Sequence, residues 1–178
     1  MIGKESRRPL DAVSDQDTEA VRFCYSPALF AAAHAGTAAT IDFLLSRGCD
    51  LNQCDLNGDT LLHMAAESGN VEVAAHVIKL GLPADKGKCG MNQPAIHYAV
   101  RAKHHGTAKA LLDAGANVNA MDSWRGKEHA WDISPLDIAR DRNDKNMTEL
   151  LLSYGALSGE EIVRRKTVSV SRHALNVC

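Results

Sequence analysis

The side chains with chemistry to offer are eight histidines, five cysteines and a spread of carboxylates. A metal centre needs three or four such groups converging, and in sequence it shows as ligand pairs at fixed spacing. Cys24, Cys49, Cys54, Cys89 and Cys178 include no Cys-x-x-Cys pair, and no His-Glu-x-x-His occurs. His104 and His105 are neighbours in a turn, a poor arrangement for chelation. No Gly-x-Ser-x-Gly elbow presents a nucleophile. Lys86-Gly87-Lys88-Cys89-Gly90-Met91-Asn92 is basic and glycine-rich, yet it lacks the Gly-x-x-x-x-Gly-Lys-Ser/Thr order of a phosphate loop. The carboxylates nominate no acid–base pair. The reading is of no catalytic residue, no cofactor and no metal. A metal-dependent enzyme built on His104, His105 and the carboxylates is the remote alternative.

The bulk properties narrow the classes further. The chain has 178 residues, a formal net charge of −2 and a pI of about 6.4. That balance argues against wholesale binding to nucleic acid or to a membrane surface. The start, Met-Ile-Gly-Lys-Glu-Ser-Arg-Arg, has no apolar core after its basic residues, and no run is apolar enough to span a bilayer. The odd cysteine count argues against a disulfide framework, so reduced thiols and a cytoplasmic setting are expected.

The elements emerge from Asp55–Gly69. Asp55, Asn57 and Gly58 are turn formers, and Thr60 caps a helix carrying Leu62, Ala65 and Ala66 on one face. Gly69 ends it. The pattern recurs. With His63 as reference, Phe30, His97 and Asp137 hold the same relation to a turn six residues on and to Gly48, Gly115 and Gly155. Apolar pairs follow each turn: Leu44-Leu45, Val77-Ile78, Leu111-Leu112 and Leu151-Leu152. Each unit is too short to bury its own apolar face, and stacked neighbours bury it instead. Lys103 stands where a left-handed residue is expected, so that turn is expected to reshape, using Gly106.

Asp55-x-x-Gly58-x-Thr60-Leu61-Leu62-His63-x-Ala65-Ala66-x-x-Gly69 resembles the ankyrin-repeat signature, departing only where Leu61 replaces the proline. The resemblance covers roughly residues 26–156. It implies an all-α helical solenoid with finger loops. Four repeats are expected at about 26–54, 55–84, 85–122 and 123–156, with a tail and capping helix at 1–25. Residues 157–178 are expected to hold a C-terminal capping helix, opened by the Ser158-x-x-Glu161 capping box, and a basic tail. It also implies a structural role for His63 and His97, which bond backbone in and between repeats; Phe30 and Asp137 depart from that pattern.

The same resemblance implies a partner protein held in the concave groove. Carried over by position, the contact residues are Leu56, Asn57, Asp59, Met91 and Asn92 on fingers. On the inner helices they are His34, Glu67, Ser68, Arg101, Asp141 and Arg142. An insertion, Ser123–Asp132, lengthens the last finger and adds Trp124, Arg125, His129 and Trp131. Its two tryptophans are the chain's only ones, and Trp and Arg dominate interface hot spots. The chain is expected to bind as a monomer. An inhibitor or regulator of an enzyme, of bacterial immunity type or secreted into a host cell, is the alternative. Arg164-Arg165-Lys166-Thr167 has the form of a basic-directed phosphorylation site at Thr167.

Overall fold

A computed structural model describes residues 27–88, 93–125 and 130–165, without the side chains of 123–125 and 130–132. Four helix pairs follow one another: α1 (residues 27–35) with α2 (Ala38–Ser46), α3 (Leu61–Ser68) with α4 (Val71–Lys79), α5 (Ala95–Arg101) with α6 (His105–Asp113), and α7 (Pro135–Asp141) with α8 (Lys145–Ser153). A last helix, α9, covers residues 159–165. The helices start where the sequence supplies caps. Asn70 accepts from the Val73 N–H at 3.1 Å, Ser134 from Asp137 at 3.2 Å and Asp144 from Met147 at 3.0 Å. The Ser158–Glu161 box opens α9 as its spacing predicts, with Glu161 Oε2 accepting from the Ser158 N–H at 2.9 Å.

Inner helices α3, α5 and α7 stack on one another, and outer helices α2, α4, α6 and α8 stack behind them. The core is a set of rows along this stack. Leu29, Leu62, Ile96 and Leu136 occupy one row at the residue before the reference position, all buried. Each such side chain is worth roughly 2 kcal/mol of burial. Ala33, Ala66 and Val100 form a second row, and their small size lets adjacent helices approach. Arg140 holds the same position in the fourth repeat and is exposed. Of the apolar pairs, the first members Leu44, Val77, Leu111 and Leu151 are buried, while Leu152 is half exposed.

Among the described residues the all-α solenoid carries one two-stranded sheet. The insertion folds as an antiparallel hairpin, β1 (Asp122–Arg125) with β2 (Ala130–Ile133), in which Trp124 stands opposite Trp131. Two other expectations change. Lys103 does not reshape its turn; it adopts φ +62° directly, as Asn143 does at +51°. Gly106 lies inside α6, where a Cβ would meet Val71 Cγ2 at 3.0 Å, so it serves helix packing. Cys54 is disulfide-bonded rather than reduced. An odd cysteine count and the lack of Cys-x-x-Cys spacing do not exclude a single bridge between residues distant in sequence. The N-terminal segment 1–25, Met91, Asn92, His129 and Thr167 lie outside the described residues.

A left-handed lysine costs roughly 1 kcal/mol that glycine does not incur. Lys103→Gly should therefore stabilise the chain by about 1 kcal/mol, read as a higher urea midpoint at unchanged slope. Gly69→Ala should do the reverse and by more. Gly69 has φ +76°, and a Cβ there would sit 2.5 Å from His104 Nδ1.

Candidate partner-binding face

The face is set by a hydrogen bond repeated between neighbouring repeats. His63 is fully buried in α3. Its Nδ1 accepts the Thr60 N–H at 3.2 Å, completing a capping box. The ring proton therefore sits on Nε2, which donates to the Gln93 carbonyl at 2.7 Å, at the foot of the next finger. That carbonyl also accepts the Lys88 N–H at 3.3 Å, beside an antiparallel bridge between Gly87 and Pro94. His97 repeats the device one unit on, with Nε2 3.3 Å from the Ile133 carbonyl at the end of β2. Its Nδ1 faces the Pro94 carbonyl at 3.3 Å, so a neutral His97 satisfies one of the two carbonyls at a time. Burial, the largest cause, pushes both imidazoles below their usual range and keeps them uncharged, although the accepting carbonyls act the other way.

With fingers and inner helices fixed, the groove floor reads in two rows. One, a residue past the reference position, holds Ala31, Met64, Tyr98 and Ile138. The other, four past it, holds His34, Glu67, Arg101 and Asp141. His34, Glu67 and Asp141 are exposed, as is Arg142, while Ser68 is partly covered. On the second finger, Asp55 Oδ1 accepts the N–H groups of both Asn57 and Asp59 at 2.8 Å. That rigid turn holds Leu56 wholly exposed at its tip, with Asn57 beside it.

The middle of the groove is an internally neutralised network that the sequence reading missed. Lys88 Nζ lies 3.1 Å from Asp59 Oδ1 and 5.2 Å from the centre of the Tyr98 ring. Burial pulls the Lys88 ammonium down, but its Tyr98 and Asp59 contacts outweigh that and hold it above its usual range. The Arg101 guanidinium lies 5.8 Å from the same ring centre and 3.3 Å from Asp122 Oδ2, which also accepts from Gln93 Nε2 at 2.7 Å. Tyr98 meets His63 edge to face at 5.2 Å. Asp59 is thereby removed from the surface, being 5 % exposed. Its carboxylate binds Lys88 instead of a partner, a correction to its place among the finger contacts. Arg101 stays partly open but is already paired. The only advance signal was Tyr98, an aromatic where the other floors carry Ala31, Met64 and Ile138.

Among the described residues no group of three or more His, Cys, Asp or Glu converges to hold a metal ion, and no helix is long and apolar enough to cross a membrane. His104 caps α6 and bonds the Glu67 carbonyl at 2.9 Å, while His105 contacts Asp144 at 3.0 Å, so the two rings serve different repeats.

Comparison with known proteins yields a family match over residues 29–122, to the model described as three copies of the ankyrin repeat. An ankyrin repeat protein of Rickettsia felis is 28 % identical over 140 residues, 78 % of this chain and 62 % of that protein. One from fowlpox virus is 29 % identical over 137 residues, 76 % of this chain and 30 % of its own length. A Caenorhabditis elegans homologue of the transient receptor potential cation channel subfamily A member 1 is 24 % identical over 88 % of this chain, but only 12 % of its own length. The chain thus spans less than two thirds of each of these relatives.

The depressed imidazoles give a pH signature. Below the unfolded-state value of about 6.5 the unfolded chain takes up protons that buried His63 and His97 refuse, so stability falls as pH falls. Urea midpoints should be level above about pH 7 and drop between about pH 6.5 and 5, each histidine contributing at most about 1.4 kcal/mol per pH unit. In a His63→Asn/His97→Asn variant the chain should be less stable at pH 7.5, with that pH slope flattened.

Proposed function

Because this chain belongs to the ankyrin-repeat family, whose repeats are generally protein-interaction modules, we propose that it binds a partner protein in its concave groove and catalyses nothing itself. The observation that carries the reading is what the groove leaves open. Its charged centre is neutralised within the protein, while Leu56 stands fully exposed on a rigid turn. His34, Glu67 and Asp141 are exposed along the floor, and Arg142 lies beside them. Ordered, exposed apolar surface of this kind costs little conformational entropy on binding.

The hairpin β1–β2 supplies the specific element. It departs from the other fingers and brings the chain's two tryptophans to one cross-strand pair in the register. The groove partner is another protein, met by a monomer, with nucleic acid and membrane outside the reading. The regulatory reading, inhibition of an enzyme or action in a host cell, gains no residue-level support from the structure and stays second.

Affinity capture from native lysate with the wild-type chain, beside Trp124→Ala/Trp131→Ala, tests the reading. The double variant should weaken the captured partner by at least about 2 kcal/mol, roughly thirtyfold, while the helical melt stays near wild type. Unchanged affinity would remove the hairpin from the interface and leave Leu56, Glu67 and Asp141 to carry it.

A further inference from the structure

Three positions of the repeat are covered in the second to fourth units and open in the first. One lies two residues ahead of the inner-helix reference position, where Leu61, Ala95 and Pro135 are buried. The second lies three residues past the cap of the outer helix, where Val73, Thr107 and Met147 are buried. The third lies six past that cap, where His76, Ala110 and Leu150 are partly buried. His76 shows the direction of this side, because its Nε2 reaches Asp42 Oδ1 of the preceding unit at 2.7 Å. In the first unit the same positions hold Ala28, Thr40 and Phe43, and all three are exposed. Phe43 is 54 % exposed even with the Arg47 guanidinium 4.9 Å from its ring centre. The first unit thus turns an open, largely apolar side away from the second.

The chain that leads into this unit has the composition to cover that side. Residues 14–25 lie outside the described residues, but their spacing is amphipathic. At helical spacing Ala20, Val21 and Cys24 share one face, and Asp15, Glu19 and Arg22 share the opposite one. Ser14 is a capping residue, and Asp15 and Asp17 are acids suited to a first helical turn. An end cap needs an apolar inner face and a polar outer face.

The join decides where such a helix goes. Pro27 opens α1, and a proline disfavours helical backbone at the residue before it, here Ser26. The segment and α1 therefore do not run on as one helix. With Ser26 alone between them, the segment has to fold back beside α1. At 1.5 Å per residue it would be roughly 16 Å long and α1 roughly 14 Å, so the two match end to end. Ala28 and Thr40 are small and let a second helix approach closely.

We propose that residues 14–25 dock as a helix across the open side of the first repeat, seating Ala20, Val21 and Cys24 on Ala28, Thr40 and Phe43. A second copy of the chain is the competing occupant of this side. The tether favours the segment, since a short linker holds it at an effective concentration on the order of millimolar. The docking is independent of the groove reading, because none of these six residues is among the groove contacts.

The test is a double-mutant cycle on the full chain, read by urea unfolding. Val21→Ala should lower the folding equilibrium constant by about tenfold. Phe43→Ala should lower it as well. In the Phe43→Ala background the Val21 change should cost only about threefold, because its contact has already gone. Glu19→Ala, on the outer face, should leave the constant near wild type. Far-ultraviolet circular dichroism checks that each variant folds, and sedimentation across a wide concentration range should give the monomer. No loss in Val21→Ala, or the same loss with and without Phe43, would overturn the proposal. So would a wild-type dimer that Phe43→Ala dissociates, which would give the open side to a second copy.

Discussion

The array depends on a buried, uncharged imidazole that caps its own helix with one nitrogen and holds the next repeat with the other. A neutral ring carries an acceptor and a donor on opposite edges of one rigid plane. His63 uses both: Nδ1 fixes the start of α3, and Nε2–H holds the foot of the following finger. The helix start and the finger position are therefore one event. Protonation would remove the acceptor, and burial prevents protonation at neutral pH. Losing the bond would leave the Gln93 carbonyl with only its longer Lys88 N–H contact, a cost of about 1 kcal/mol for a hydrogen bond lost inside the protein.

Both ends of the array show what happens where that bond is absent. In the first repeat Phe30 holds the reference position and has nothing to donate. The carbonyl it would have served, Asp59 O, keeps only the bond within its own finger, from the Asp55 N–H at 2.9 Å, where Gln93 O has both that kind of bond and His63. In the fourth repeat Asp137 holds the position. A carboxylate cannot donate, but Asp137 keeps the capping half of the role by accepting from Ser134 N–H and Oγ–H. Its onward bond is reversed: it accepts the Gly159 N–H of α9 at 2.7 Å. A helix start offers free N–H groups where a finger offers a carbonyl, so the substitution matches the change of neighbour. Ile162 of α9 is buried.

That difference explains how much could be read in the sequence. The repeat period, the four helix pairs and the cap at Ser158 follow from local residue types at fixed offsets, and the structural roles of His63 and His97 came with the resemblance to the ankyrin repeat. Features that need a second repeat to define them did not. Lys88 reads as part of a basic loop until Asp59 and Tyr98 of neighbouring units stand beside it. Asp59 reads as a finger contact until Lys88 covers it. The Lys103 turn keeps its regular shape because α5 and α6 are held by their packing, and that packing absorbs the strain of one left-handed lysine. The hairpin was legible as extra length but not as paired strands, since a two-stranded ribbon has little propensity signal of its own.

The distribution of charge separates stability from recognition. At the centre of the groove Lys88 pairs with Asp59 and Arg101 with Asp122, and a paired, partly buried charge is poor bait for a partner because binding must first break or bypass the pair. What those pairs do is tie finger to floor, which makes exposed groups such as Leu56 stationary. At the inter-helix turns cations and acids are interspersed: Asp144 is buried against His105, while Asp141 and Glu149 stand exposed among Arg140, Arg142 and Lys145. The two faces share inner helices α5 and α7, whose finger ends are fixed by His97 and Asp137 and whose turn ends are fixed by the His105–Asp144 contact. Helix ends held at both the finger and the turn leave the inner helices little freedom to shift, so the stack presents its groove as a preformed surface.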